Sequence, residues 1–139
     1  MRLSRGSIAT AKNRLASDEM LSQQILLQSG QVKRYAAGIY AKNTFLVKAQ
    51  ANIEKVIRTT LERYDCVEVV MPLLQPKALW ESSGRWDKYN QSGQMFYCDM
   101  PNGTYCMAPT AEEAMLDFVQ SMVRSYKDLP INVYQIGAK

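Results

Sequence analysis

At 139 residues, with 47% hydrophobic and 22% charged side chains, the chain has the size and composition of one globular domain, able to bury about 70% of its unfolded surface without a metal or disulfide staple. No apolar run approaches the ~18 residues that a membrane-spanning helix needs, which excludes an integral helical membrane protein. The net charge of +4 suits a polyanionic partner, but the basic residues are spread along the chain rather than gathered in one patch.

The chain has no histidine and three cysteines, Cys66, Cys98 and Cys106, with no C-x-x-C pair. That composition argues against a zinc site and removes any Ser-His or Cys-His nucleophile from these residues. The cysteines read as small buried thiols of a reducing compartment. The opening "MRLSRGSIATAKNRLAS" has basic residues and no acidic one before Asp18. That is the composition of an organellar transit peptide, but it carries no identifiable cleavage signal, and a cytoplasmic protein is the expectation.

In chain order, "SDEMLSQQILLQSG" from Ser17 predicts a capped helix with acidic residues in its first turn and Gly30 as its stop. A second helical segment is expected over "QVKRYAAGIY". From about Lys48 to Tyr64, Ile53, Val56, Ile57, Leu61 and Tyr64 recur at steps of three and four and predict an amphipathic helix. "CVEVVMP" follows as a β-branched strand that Pro72 ends. "PKALWESSGRWDKYNQSGQ" reads as a short helix and a polar loop, with Trp80 and Trp86 as packing residues and Ser82-Ser83-Gly84 as a turn. "MFYCDMPNGTYCMA" reads as a hairpin about Pro101-Asn102-Gly103.

Met115, Phe118, Val119, Met122, Val123 and Tyr126 then form an apolar stripe expected to face the core, on a helix that stops before Leu129-Pro130. "INVYQIGAK" is a closing strand at about residues 131–137. Helices alternating with a hairpin and single strands predict an α+β fold, a mainly antiparallel sheet flanked by helices.

The stretch "MAPTAEEAM" holds two readings. Thr110 and Glu113 have the spacing of a capping box, each side chain reaching the other's backbone amide. Thr110 and Glu112 could equally present polar groups to a small charged ligand. The readings use different carboxylates and can coexist.

Taken together, "EVVMPLLQPKALWESSGRWDKY", "APTAEEA" and "SYKDLPINVYQIGAK" resemble, in order and spacing, the N-terminal part of the catalytic core of bacterial-type prolyl-tRNA synthetases, which are class II aminoacyl-tRNA synthetases. The opening through "LLQSGQVKRYAAGIY" is similar as well, so the resemblance covers essentially all 139 residues as one partial catalytic domain. It implies an N-terminal helical segment over about 1–46, a motif 1 helix and strand over about 48–74, and a hairpin with the Thr-x-Glu helix over about 95–127. Motif 1 implies a homodimer interface that includes Tyr64, Val69, Met71 and Pro72. Core packing explains the same residues without a partner.

The family activates proline with ATP and Mg²⁺ to prolyl-adenylate, then transfers it to tRNA(Pro). The resemblance implies that Thr110 and Glu112 receive the two N–H bonds of the prolyl cation, and that Arg85 supports the site or contacts tRNA. Motif 2, with the arginine that grips the α-phosphate, begins in the family just after the residue matching Lys139, and motif 3 lies further on. No catalytic residue and no metal ligand is therefore expected among these residues, and no phosphate loop of the Walker type replaces the missing motifs. The 139 residues by themselves are expected to be inactive.

Three positions depart from the family pattern. Asn43-Thr44-Phe45-Leu46 stands where a Leu-Pro-x-Gly-like turn is usual, Asp65 where glycine is usual, and Ala111 where many members have histidine. A non-catalytic synthetase paralogue acting as a binding or dimerisation module is the alternative function. A plain nucleic-acid-binding domain is less well supported, because the basic residues lack aromatic interleaving or a recognition-helix pattern.

Overall fold

The computed structural model describes residues 20–138 together with Thr10; the transit-like opening and the acidic first turn at Asp18 and Glu19 lie outside the described residues. Two units divide the chain, Met1–Thr60 and Leu61–Lys139.

In the first unit, helix α1 (Leu21–Gln28) ends where Gly30 takes φ +66°, a left-handed value that glycine adopts without a steric penalty. The segment expected as a second helix is instead a hairpin, β1 (Val32–Ala36) against antiparallel β2 (Ile39–Lys42). Its tight turn is set by Gly38 at φ +78°, and a helix would have had to absorb that glycine in its interior. Helix α2 runs Thr44–Glu62 and so starts earlier than expected. The Asn43 side chain accepts from the Thr44 amide at 2.7 Å and donates to the Gly30 carbonyl at 3.1 Å. The stretch that departs from the family's turn is thus a helix start tied back to the hairpin's base.

In the second unit, Asp65 turns the chain into β3 (Cys66–Glu68) with φ +54°. That backbone conformation explains why glycine is usual there, and aspartate is among the side chains that tolerate it best. The strand is shorter than "CVEVVMP" suggested, and it pairs in parallel with β7 (Asn132–Tyr134). Val69 prolongs the pairing through its amide to the Tyr134 carbonyl at 2.9 Å, and the Met71 amide reaches Gln135 Oε1 at 3.0 Å.

An unforeseen strand, β4 (Leu74–Pro76), joins the hairpin β5 (Phe96–Met100) and β6 (Gly103–Met107) in an antiparallel sheet of order β4-β6-β5. Antiparallel pairing therefore predominates, with one parallel pair. Between β4 and β5 lie two short helices, α3 (Lys77–Ser82) and α4 (Trp86–Gln91). The second replaces the expected polar loop because Trp86 and Tyr89, three apart, both pack inward. Trp80, at 0% exposure, centres a cluster with Trp86, Met95, Cys106 and Ala108, and the Tyr89 ring meets Trp80 edge-on at 5.4 Å. Burial pushes the Cys106 thiol up from its ordinary range. Cys66 is half-buried and Cys98 exposed, so only one of the three cysteines is the buried thiol expected of all.

Helix α5 (Glu112–Met122) ends sooner than its apolar stripe implied. A turn of 3-10 helix, Tyr126–Asp128, follows, capped by Ser125 and by Asp128, whose carboxylate accepts from the Arg124 and Ser125 amides at 2.8 Å each. These two bonds hold the Asp128 carboxyl below its usual range. Ala114 on α5 packs with Ala111 and Met71 in a second buried cluster. Phe118, Met122 and Tyr126 remain exposed, so the expected core stripe is covered only in part.

Candidate functional site

The turn from β6 into α5 carries the candidate residues. The Ala108 amide bonds the Leu73 carbonyl at 2.8 Å, which anchors the turn against the residues leading into β4. Ala111, at the position the Thr-x-Glu pattern leaves variable, is buried beside Met71 and Ala114. Its small side chain lets the first turn of α5 pack closely, and Ala111, not Thr110, caps the helix.

The expected capping box is accordingly not formed, since no side chain caps the first amides of α5. Thr110 lies one residue too far from the helix for that geometry. Its hydroxyl instead donates to Glu113 Oε2 across 3.3 Å, a long hydrogen bond. Glu113 is buried, with 6% exposure, which a solvated cap would not be.

Glu113 is compensated from α4's leading residue. Arg85 Nη1 stands 2.6 Å from Glu113 Oε1 as an ion pair off the hydrogen-bond axis. The guanidinium also donates to the Tyr89 hydroxyl and lies 4.9 Å from the Tyr89 ring centroid and 5.8 Å from that of Trp80. Burial works to lower the Arg85 pKa, but the hydrogen bond to Tyr89 and the charge of Glu113 outweigh it and raise the guanidinium above its ordinary value.

Thr110 and Glu112 do not line one cavity. Glu112 is exposed at the start of α5 and borders a cleft of about 290 Å³ with Ser82, Ser83, Arg85, Glu113 and Asp117. Thr110 is half-buried and borders a recess of about 10 Å³ with Pro72, Gln75 and Gln135, about the minimum for one water. Both groups nonetheless belong to one turn at the start of α5, where the positive helix end faces negative charge.

Of the motif 1 residues, Tyr64 is 70% exposed and Pro72 is exposed, Val69 is half-buried, and Met71 is buried in the unit's own core. Arg85 does meet the Thr-x-Glu turn, through Glu113. Two polar residues escaped the sequence reading: Glu113 as an ion-pair partner, and Gln75. Gln75 is fully buried; it accepts from Trp80 Nε1 at 2.9 Å and donates to the Pro72 carbonyl at 3.1 Å. A buried glutamine has no sequence signature, but the need of a buried indole N–H for an acceptor could have pointed to one. Among the described residues, no three acidic, cysteine or histidine side chains gather to hold a metal ion.

The whole chain aligns with the proline–tRNA ligase of Solidesulfovibrio magneticus at 39% identity over 139 residues, and with that of Xylella fastidiosa at 37%. The chain is homologous, along all of its length, to a segment of the prolyl-tRNA synthetases. It spans about a quarter, 24%, of the length of these curated relatives. No family model matches the sequence.

Among solved structures, the prolyl-tRNA synthetase of Cryptosporidium parvum, crystallised with L-proline and AMP, superposes with a TM-score of 0.63 at 17% identity. The match covers 81% of this chain and 22% of that one. At that identity the likeness speaks for the fold alone, and it agrees with the α+β arrangement of mainly antiparallel strands and helices. Among the described residues no helix is long and apolar enough to cross a membrane.

Proposed function

We propose that this chain is part of a proline–tRNA ligase, supplying the Thr-x-Glu side of the proline site and the motif 1 surface of a homodimer. The observation that carries this reading is the homology itself, 36–39% identity over the full chain to several proline–tRNA ligases. In the complete enzyme, ATP would activate proline and tRNA(Pro) would accept it, in a cytoplasmic setting.

Prolyl cation recognition needs one anion and one neutral acceptor near each other in a fixed pose. Glu112 at the first turn of α5 and Thr110 two residues earlier provide that pair. A charge-assisted bond of this type is worth about 1.5–3 kcal/mol when shielded from water. The remaining walls, and the arginines that grip the phosphate, would come from the part of the relatives' length that these residues do not match. For the dimer, Tyr64, Val70 and Pro72 leave exposed apolar surface on either side of the β3 strand, while Met71 packs inward against Ala111 and Ala114.

The test is a chimera in which this chain replaces the matching segment of the Solidesulfovibrio magneticus enzyme. Proline-dependent ATP–pyrophosphate exchange by the chimera, and none by the 139 residues alone, is the expected result. A soluble, dimeric chimera without exchange would contradict the reading, as would exchange by the isolated chain.

A further inference from the structure

A line of polar contacts runs behind the Thr110–Glu112 turn, from Tyr89 through Arg85 and Glu113 to Thr110. Its far end is held by the Trp80 cluster, since Tyr89 packs edge-on against Trp80. Its near end is a hydroxyl whose direction matters. Threonine carries one O–H proton and two lone pairs, whereas an ionised carboxylate can only accept. Arg85 stands beside Oε1 of the Glu113 carboxylate, and Oε2 accepts the Thr110 O–H. What Thr110 can then offer a ligand is lone pairs.

We propose that Glu113 is a positioning residue that sets the polarity of Thr110, making it an obligate acceptor. The site thereby selects a ligand that points N–H bonds at this turn, a protonated cyclic secondary amine, and rejects a ring of the same shape that carries an ether oxygen. The proposal rests on the reading of Thr110 as a proline contact. It gives Glu113 a role distinct from that of Glu112, which is to supply charge.

Glu113→Gln in the chimera separates polarity from packing. Arg85 has only donors, so it holds the amide oxygen of the new side chain and turns the amide nitrogen toward Thr110. The Thr110 oxygen must then accept, and its proton is released toward the ligand. The expected result is a KM for proline raised about tenfold, together with tighter inhibition by tetrahydrofuran-2-carboxylate, whose ring oxygen accepts. Loss of packing cannot move the two in opposite directions. If Glu113→Gln does not fold, Glu113→Met, of similar volume but accepting no proton, should lower the ratio of the inhibitor's Ki to the proline KM.

Equal weakening of both ligands, or an unchanged ratio, overturns the proposal. Thr110→Val distinguishes the two levels of the argument. If it leaves the proline KM unchanged, the proline-contact reading fails and this inference with it. If it raises KM while the Glu113 variants leave the ratio untouched, only this inference fails.

Discussion

Helices α2 and α3 both carry large apolar residues, yet they meet different fates. On α3, Trp80 is fully buried and even its indole nitrogen is satisfied by Gln75. On α2, Ile53 and Val56 are 62% and 67% exposed, and no residue of the helix is buried. Periodicity identifies a face that gains from cover, and α2 carries such a face. Whether cover is found depends on what lies opposite. Around α3, a second tryptophan, a methionine and a thiol close over the helix and leave two buried polar groups, Gln75 and Glu113, each with its own partner.

The sharpest test of that contrast is Trp80→Ala. Removing a fully buried indole should destabilise the chain by about 3–5 kcal/mol, read as the shift in a urea denaturation curve. A loss below about 1 kcal/mol would mean that the cluster is not the centre of the unit's stability. Next comes Gln75→Leu, which fills similar space but strands the Trp80 N–H and the Pro72 carbonyl; it should cost about 1–3 kcal/mol. A neutral outcome would show that water replaces the amide. Val56→Lys should do least, within about 0.5 kcal/mol. A large loss there would erase the difference between the two helices, showing that the α2 stripe is covered in solution.

The parts of the fold that sequence reasoning found are those whose signal is local. The α2 stripe repeats every three to four residues, and Pro101-Asn102-Gly103 marks a turn between two aromatic-rich runs, so α2 and the β5–β6 hairpin were both legible. "KRYAAGIY" misled because its lysine, arginine and alanines favour a helix while a single glycine dictates the turn of a hairpin. The stretch Trp86–Gln91 looked like part of a polar loop, since the reason for α4 is the burial of Trp86 and Tyr89 against a tryptophan on another helix.

At the candidate site, Thr110 and Glu112 could be named as candidates from the resemblance and spacing, and Arg85 as a candidate supporting group. The role of Glu113 could not. Its capping-box spacing to Thr110 suggested a backbone contact, and the arginine that holds it comes from a distant stretch brought close by the packing of α3 against α5. The departure at Asp65 has the opposite character: a backbone angle of φ +54° turns an odd residue into an intelligible one.

The central claim is that the Thr-x-Glu turn of this chain holds proline through the Glu112 carboxylate. The most direct measurement is the proline KM of the chimera carrying Glu112→Ala, from ATP–pyrophosphate exchange at saturating ATP. A loss of about 1.5–3 kcal/mol of charge-assisted binding corresponds to a KM raised by about ten- to a hundredfold, with thermal stability nearly unchanged because Glu112 is exposed. An unchanged proline KM would contradict the account and leave "PTAEEA" as the start of a helix.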